Sequence, residues 1–483
     1  MMTRMEKHIY KDNRFAAWKT QLPRKSKVII GIHIFILLTI GLIDGLDYRA
    51  KISLFAFLSA MILWVTTKIP AGLIALSLIV FIVLVKAGEP DLLYASLSEE
   101  VVWLMIGSFI IGEAVKRSGL AERLTLFIVS KSTKKSGVLF ALSSVIFSSA
   151  FFIPSTSGRA ALSMPIIKQL GQKFTDKEKR VIAVLAPVII LMSTSATLIG
   201  AGSHLIGIGL LESTAGQSIS YIQWFVWGVP FAIVVTLFSF VLIGWILWPK
   251  GGKKVIEPVS TEEENILNKQ MNDKEEKTMI FILILIVGWM TEHIHGYDIA
   301  FITMIGAILI MLPNYGVISW KQGINSVSWN LILFVAAATA LGKVLVDTGI
   351  VKWIENNTLH VLNWFTGAPE WVIVLLILLV TVTSHLYITS HTTRAIVLIP
   401  GLLVFSQAIG VNPSTVVFLS LIGMNYCVTV PVSSKALLLF YEEGEVSYHA
   451  SDLVKISIIL MPVYILTIML FYFSYWQWTG MQL

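Results

Sequence analysis

Residues 136–173 read SGVLFALSSVIFSSAFFIPSTSGRAALSMPIIKQLGQK: an apolar run enters, Pro154-Ser155-Thr156-Ser157-Gly158 interrupts it, and a second apolar run leaves. Basic residues stand on both sides. Lys116, Arg117, Arg123, Lys131, Lys134 and Lys135 precede the stretch, and Lys168, Lys173, Lys177, Lys179 and Arg180 follow it. Basic loops mark the cytoplasmic side of a membrane protein, so both ends face one compartment. Proline, glycine and hydroxyl residues break helices and hydrogen-bond a turned backbone. The stretch therefore reads as a re-entrant helical hairpin, whose non-helical tip must be buried in protein or line a wet cavity.

The whole chain agrees with this reading. Of 483 residues, 56% are hydrophobic and 13% charged, about half the roughly 25% of a soluble domain. Apolar runs near or beyond the roughly 18 residues of a membrane span exclude a soluble enzyme, a disordered chain or a coiled coil. Stretches such as 280–288 and 372–380 are apolar all round, which excludes an alternating β-barrel. The net charge of +7 comes from short loops and the first 27 residues, which makes it an orientation signal rather than a sign of nucleic-acid binding. Cys427 is the only cysteine, so no disulfide framework or Cys-based metal site is expected. No cleavable signal peptide is visible, because a long basic stretch precedes the first apolar run.

The charged loops then set a topology. A cytoplasmic basic tail (1–27) leads into a first transmembrane half (28–248) that contains the hairpin 136–173. A polar cytoplasmic linker (249–277) connects it to a second half (278–483) with a second hairpin at 370–408. The fold class is an all-α polytopic membrane protein with about 11 transmembrane helices plus the two hairpins, in which the amino terminus is cytoplasmic and the carboxyl terminus extracellular.

The halves repeat. Ser155-Thr156-Ser157-Gly158-Arg159-Ala160 with Pro165 matches Ser390-His391-Thr392-Thr393-Arg394-Ala395 with Pro400 at identical spacing. Trp103 and the Gly112 to Gly119 spacing are echoed by Trp329 and Gly342 to Gly349. With five spans per half after the first span, the repeats are inverted. Inverted repeats broken at matching places point to a secondary transporter with its site near the bilayer midplane. Each tip opens an apolar helix, and a helix amino terminus with free N–H groups favours anions. A second polar break follows in each half, at 193–204 (Ser193 to His204) and 425–435 (Asn425 to Lys435).

At these residues the chain resembles the divalent anion:sodium symporter family, carriers of di- and tricarboxylates or sulfate, over almost its whole length from about residue 30. That family places a Ser-Asn-Thr motif at each tip. The motif falls on Ser155-Thr156-Ser157 and Ser390-His391-Thr392, where Thr156 and His391 stand in place of the asparagines. The family's Gly-Thr-Pro motif looks like Gly200-Ala201-Gly202-Ser203-His204 in the first half and corresponds loosely to 430–435 in the second. The resemblance implies a homodimer in membrane lipid with an elevator mechanism. The scaffold would include spans near 50–86 and 278–313, and amphipathic arms near 117–134 and 351–366 would link it to a moving transport domain. It further implies substrate contacts from Ser155, Thr156, Ser157, Ser390, His391 and Thr392. Sodium would be held around Ser155, Thr156, Gly200, Ser203, Ser390, Thr429 and Ser433, with no other metal or cofactor.

Charges inside the bundle add to this list. An arginine at membrane depth costs about 2.5–3.5 kcal/mol on insertion scales, so Arg159 and Arg394, one turn past the tips, are candidate clamps on an anion. The plainer reading is that they cap carbonyls of a neighbouring element. His204 and Lys435 occupy corresponding places in the second breaks and are candidate charge substitutes for sodium. The expected function is secondary transport of a small divalent anion, a dicarboxylate first and sulfate or another oxyanion second, coupled to sodium or else proton-coupled or exchanging. An intramembrane serine hydrolase using Ser155 or Ser157 with His391 is a remote rival, because it leaves the repeated tip unexplained and no Gly-x-Ser-x-Gly elbow is present. A non-transporting sensor is another, without any fused signalling domain to support it.

Overall fold

The computed structural model describes residues 24–67, 69–120, 123, 134–153, 155–249, 270–350, 353, 367–441 and 446–483. The basic tail up to residue 23, most of both expected arms and the linker over 250–269 lie outside the described residues. All regular elements among the described residues are helices. Helix α1 (Arg24–Gly41) precedes the first repeat.

The first repeat runs α2 (Tyr48–Thr66), α3 (Ala71–Leu84), the short α4 (Asp91–Ala95), α5 (Glu100–Ser118), α6 (Lys135–Ser148), α7 (Thr156–Gly171), α8 (Asp176–Ser193), α9 (Gly202–Ala215) and α10 (Tyr221–Leu247). The second runs α11 (Asp273–Met290), the one-turn α12 (Glu292–His295), α13 (Ile299–Ile310), α14 (Trp320–Ser326), α15 (Trp329–Asp347), α16 (Glu370–Thr383), α17 (His391–Ile409), α18 (Pro413–Asn425), α19 (Lys435–Tyr441) and α20 (Ala450–Phe471). Apart from α12 the order of long and short helices is the same in both.

Packing follows the repeat. Helix α3 of the first half lies on α15 of the second, and α13 of the second lies on α5 of the first. Likewise α9 packs on α17 and α19 on α7. Small residues permit the close approaches, as they do between helices in lipid, where apolar burial alone gives no drive to associate. A Cβ on Gly107 of α5 would sit 2.8 Å from Thr303 Cγ2 of α13. Thr303 in turn accepts a 2.9 Å hydrogen bond from Trp289 Nε1 of α11.

Among the described residues, five helices are long and apolar enough to cross a membrane, and α4 with α5 adds a sixth if that pair, bent by 47°, is one broken span. Shorter apolar helices such as Ala71–Leu84 and Pro413–Asn425 occupy other places where hydropathy predicts spans. Helix starts are specified locally. Thr175 and Glu178 form a reciprocal capping box at α8, and Asn412 caps α18 ahead of Pro413. Glu178 also takes Lys135 of α6 at 2.7 Å, with both side chains buried. Arg180 of α8 donates to Asp452 of α20 through Nη2 at 2.8 Å. These two pairs tie the base of the first hairpin to the last helix.

Candidate binding site between the hairpin tips

Each hairpin turns through a short 3-10 segment and restarts as a helix capped by its own serine. Ser155 Oγ accepts from the Gly158 N–H at 3.1 Å, and Ser390 Oγ accepts from the Thr393 N–H at 3.2 Å. The two caps occupy the same repeat position, so the same physical event, a helix amino terminus created inside the protein, occurs twice.

Both amino termini face one cavity of about 520 Å³. Ser155, Thr156 and Ser157 line it from the first tip, and Thr389 to Thr393 from the second. Ala201, Gly202 and Ser203 enter from the first break, Val432, Ser434 and Lys435 from the second. The opposite wall comes from α3, α5 and the start of α15. Among the described residues no Asp or Glu lines this space.

The breaks are held open by backbone geometry. Helix α8 ends in 3-10 turns at Thr194–Ala196 and Leu198–Gly200, with Thr197 and Ala201 extended between the turns and α9. Gly200 is obligatory there, because a Cβ would lie 2.3 Å from the Thr194 carbonyl oxygen. The second break mirrors this with a turn at Pro431–Ser433 between extended Val430 and Ser434.

The arginines, candidate clamps from their places in the sequence, do not line the cavity. Arg159 is fully buried and donates from Nη1 to Ser193 Oγ at 2.9 Å and from Nη2 to Thr194 Oγ1 at 2.5 Å. Arg394, also fully buried, donates from Nη1 to the carbonyls of Met424 (2.8 Å) and Tyr426 (3.2 Å). Arg394 therefore caps carbonyls at the carboxyl end of the broken helix in its repeat, and Arg159 binds hydroxyls at the matching end of its own, where the helix dipole favours a cation. Neither meets a carboxylate among the described residues. Two uncompensated positive charges thus stand behind the tips, felt in the cavity without contact.

Histidine placement separates the other candidates. His391 lines the cavity, with its Nε2 2.9 Å from Cys427 Sγ and its Nδ1 without a protein partner. A thiol donating to Nε2 leaves the proton on Nδ1, a buried donor without a partner among the described residues. His204, a candidate charge substitute from its place in the first break, does not line the cavity. It is fully buried, with Nδ1 3.1 Å from the Thr197 carbonyl and Nε2 3.0 Å from the Asn425 side chain. Lys435 is exposed in the cavity wall.

Of the residues assigned to sodium, Ser155, Thr156, Ser203 and Ser390 line the cavity, whereas Gly200, Thr429 and Ser433 do not. Thr429 Oγ1 is taken up by His385 Nε2 (2.8 Å) and Ser457 Oγ (2.6 Å), and Ser433 donates to the Cys427 carbonyl at 2.6 Å. The sequence places Asn425 in the second break but gives no role to His385 or to the wall residues Ser108 and Asn330, and a histidine just before a predicted tip is the signal that could have found the first of these.

Residues 24–482 match the family described as the sodium:sulfate symporter transmembrane region. The chain belongs to that family. It is accordingly a multi-pass membrane protein of an anion-transporter family and not an enzyme. Among curated relatives, it is 23% identical to the sodium-dependent dicarboxylate transporter SdcS of Staphylococcus saprophyticus, over 83% of each chain. It is 24% identical to the citrate/succinate antiporter of Escherichia coli over 78% of each, and 25% identical to the L-tartrate/succinate antiporter of the same organism over 72% of this chain and 73% of that one. Its fold is similar to that of the YdaH transporter of Alcanivorax borkumensis, with a TM-score of 0.50 and 12% identity over 80% of this chain and 87% of that chain. The family assignment leaves the rival hydrolase without support.

Proposed function

We propose that the protein is a secondary active transporter of small dicarboxylates or tricarboxylates, with sulfate and other oxyanions as the second substrate class. The observation that carries this reading is the single cavity bounded by both hairpin tips, with Lys435 and His391 in its wall, no carboxylate among its described lining and two buried arginines behind it. Such a space lowers the energy of a dianion and raises that of a cation. Hydroxyls of Thr156, Ser157 and Thr392 and the capped helix starts supply neutral donors that fit carboxylate oxygens.

Sodium symport by an elevator motion, in a homodimer, is the mechanism the family resemblance suggests. The amino terminus would be cytoplasmic and the carboxyl terminus extracellular. A second reading, sodium-independent exchange or proton coupling, is favoured by the positive charge of Lys435 in the cavity wall, which reduces the charge a bound cation would have to supply. Relatives of both kinds, a sodium-dependent transporter and antiporters, support keeping both.

Uptake of labelled succinate and sulfate into proteoliposomes, with and without an inward sodium gradient and with and without internal dicarboxylate, tests both. Succinate flux that collapses without sodium establishes symport. Flux indifferent to sodium and dependent on internal anion establishes exchange, and the absence of succinate flux under every condition overturns the dicarboxylate assignment.

A further inference from the structure

Charge is distributed unevenly around the cavity. Lys435 and His391, with Arg159 and Arg394 behind them, all belong to the tips and breaks. The facing wall, made by Met105, Ser108 and Phe109 of α5 and Asn330, Leu331 and Phe334 of α15, carries no charge. Its polar groups are nevertheless left free. Ser108 is 3% exposed, and its hydroxyl has no hydrogen-bond partner.

Several buried helical hydroxyls bond back to the preceding turn, Ser143 to the Leu139 carbonyl, Ser239 to Val235, Thr381 to Ile377 and Ser420 to Val416, all at 2.6–2.8 Å, whereas those of Ser59 and Thr236, away from this cavity, share with Ser108 the lack of a partner among the described residues. Among the described buried hydroxyls that lack a partner, Ser108 and Ser203 are the two that line this cavity. A buried polar group left unpaired costs about 1–3 kcal/mol, and a ligand atom that pairs it recovers that cost. Asn330, exposed at the start of α15, lines the same cavity and makes no hydrogen bond through its side chain among the described residues. Its Oδ1 and backbone oxygen crowd Gly72 of α3, where a Cβ would lie 3.1 and 2.9 Å from them.

We propose that Ser108 and Asn330 are specificity-determining residues that read a neutral polar substituent, a hydroxyl or keto oxygen, on a dicarboxylate held by the opposite side. The division of labour follows from the chemistry of each wall. Lys435 of the second break and the capped helix starts of the tips hold carboxylates, while an uncharged hydroxyl and amide in a lining shared with Met105, Phe109 and Phe334 pair with a substituent that brings no charge. A site built to hydrogen-bond a substrate hydroxyl rejects the analogue lacking it, because its own polar groups are then left unpaired. The inference rests on the dicarboxylate reading above and goes beyond it by assigning the selection among dicarboxylates to the neutral wall.

The test compares malate and succinate uptake by wild type, Ser108→Ala, Ser108→Thr and Asn330→Ala in proteoliposomes. The readout is the ratio of kcat/KM for the two substrates within each variant, from which expression and folding cancel. We expect wild type to favour malate, Ser108→Ala and Asn330→Ala to lower the malate-to-succinate ratio about fivefold to tenfold through KM, and Ser108→Thr to restore it. Succinate and malate transport with the same ratio in wild type and both alanine variants overturns the inference while leaving the functional reading intact. Wild-type protein that carries neither substrate overturns the functional reading, and the inference falls with it.

Discussion

His204 Nε2 lies 3.0 Å from the side chain of Asn425, and Asn425 Nδ2 donates to Ser195 Oγ at 3.0 Å. His204 and Ser195 belong to the break of the first half, and Asn425 ends the half-helix of the second, 221 positions further along than His204. A buried network thus joins the two interrupted helices at the place where each loses its own hydrogen-bond ladder. The ring also packs against Trp224, with centroids 4.5 Å apart, and Trp224 Nε1 donates to the Ser195 carbonyl at 3.1 Å.

Removing one member leaves the others unsatisfied in a fully buried place. Asn425→Ala and His204→Ala should each cost about 1–3 kcal/mol, and the double variant should cost clearly less than their sum. Thermal unfolding of the purified single and double variants in detergent checks this. Additive losses would mean that the two residues act independently.

The arginines should act through their field rather than by touching substrate. Two unit charges about 10 Å apart interact by ~1.7 kcal/mol at an effective dielectric of about 20, so a dianion gains appreciably from each. Arg159→Met and Arg394→Met should therefore weaken dianion binding at least about tenfold, with a smaller effect on a monocarboxylate. Equilibrium binding of succinate and of its monomethyl ester to each variant gives the comparison. Equal losses for both ligands would point to collapse of the helix ends that the arginines bind.

Gly200→Ala places a methyl group where the Thr194 carbonyl oxygen already sits, 2.3 Å away. The break must then rearrange, and both the Thr194 end of α8 and the cavity lining at Ala201 to Ser203 move with it. Flux should fall by about tenfold or more, since even a small misplacement of a binding group costs on the order of a hundredfold. Transport by Gly200→Ala at wild-type rates would show that the break is not part of the site.

Glu178→Gln removes the partner of a buried lysine. Lys135 Nζ reaches both carboxylate oxygens, at 2.9 and 2.7 Å, and stands 5.4 Å from the Phe174 ring centre. Breaking a buried pair from one side costs about 3–5 kcal/mol, so the variant should unfold at distinctly lower temperature. Lys135→Met with Glu178→Gln should recover much of that loss, which the same unfolding assay measures.

Glu292, in the turn between α11 and α13, has its carboxyl pushed up by partial burial and then by the negative charge of Asp298. A carboxyl whose folded-state pKa is raised adds stability below its unfolded value, near 4.5, and loses it as pH climbs through the folded value. Glu292→Gln should therefore be more stable than wild type at pH 7 and equal to it near pH 4. Unfolding temperatures of the two proteins across that range would show the curves converging on the acid side, and convergence on the alkaline side would contradict the assignment.

Much of the architecture was legible in the chain because its signals are local or additive. Apolar runs report burial in lipid residue by residue, basic loops report sidedness by position, and the helix-breaking tips stand at equal spacing in two halves. Ser155 and Ser390 could be placed at helix starts from their neighbours alone, as capping is settled within three residues. The roles of Arg159, Arg394, His204 and Ser108 could not. Whether an intramembrane arginine meets a ligand or a helix end depends on which carbonyls lie within reach of a long side chain. Those carbonyls belong to Met424 and Tyr426 for Arg394, on a helix separate from its own hairpin. A serine looks the same in sequence whether it bonds back to its own turn, as Ser143 does, or stays unpaired in the lining of a cavity, as Ser108 does. Only packing of α5 and α15 opposite the tips, contacts set by residues far apart in the chain, leaves that hydroxyl free.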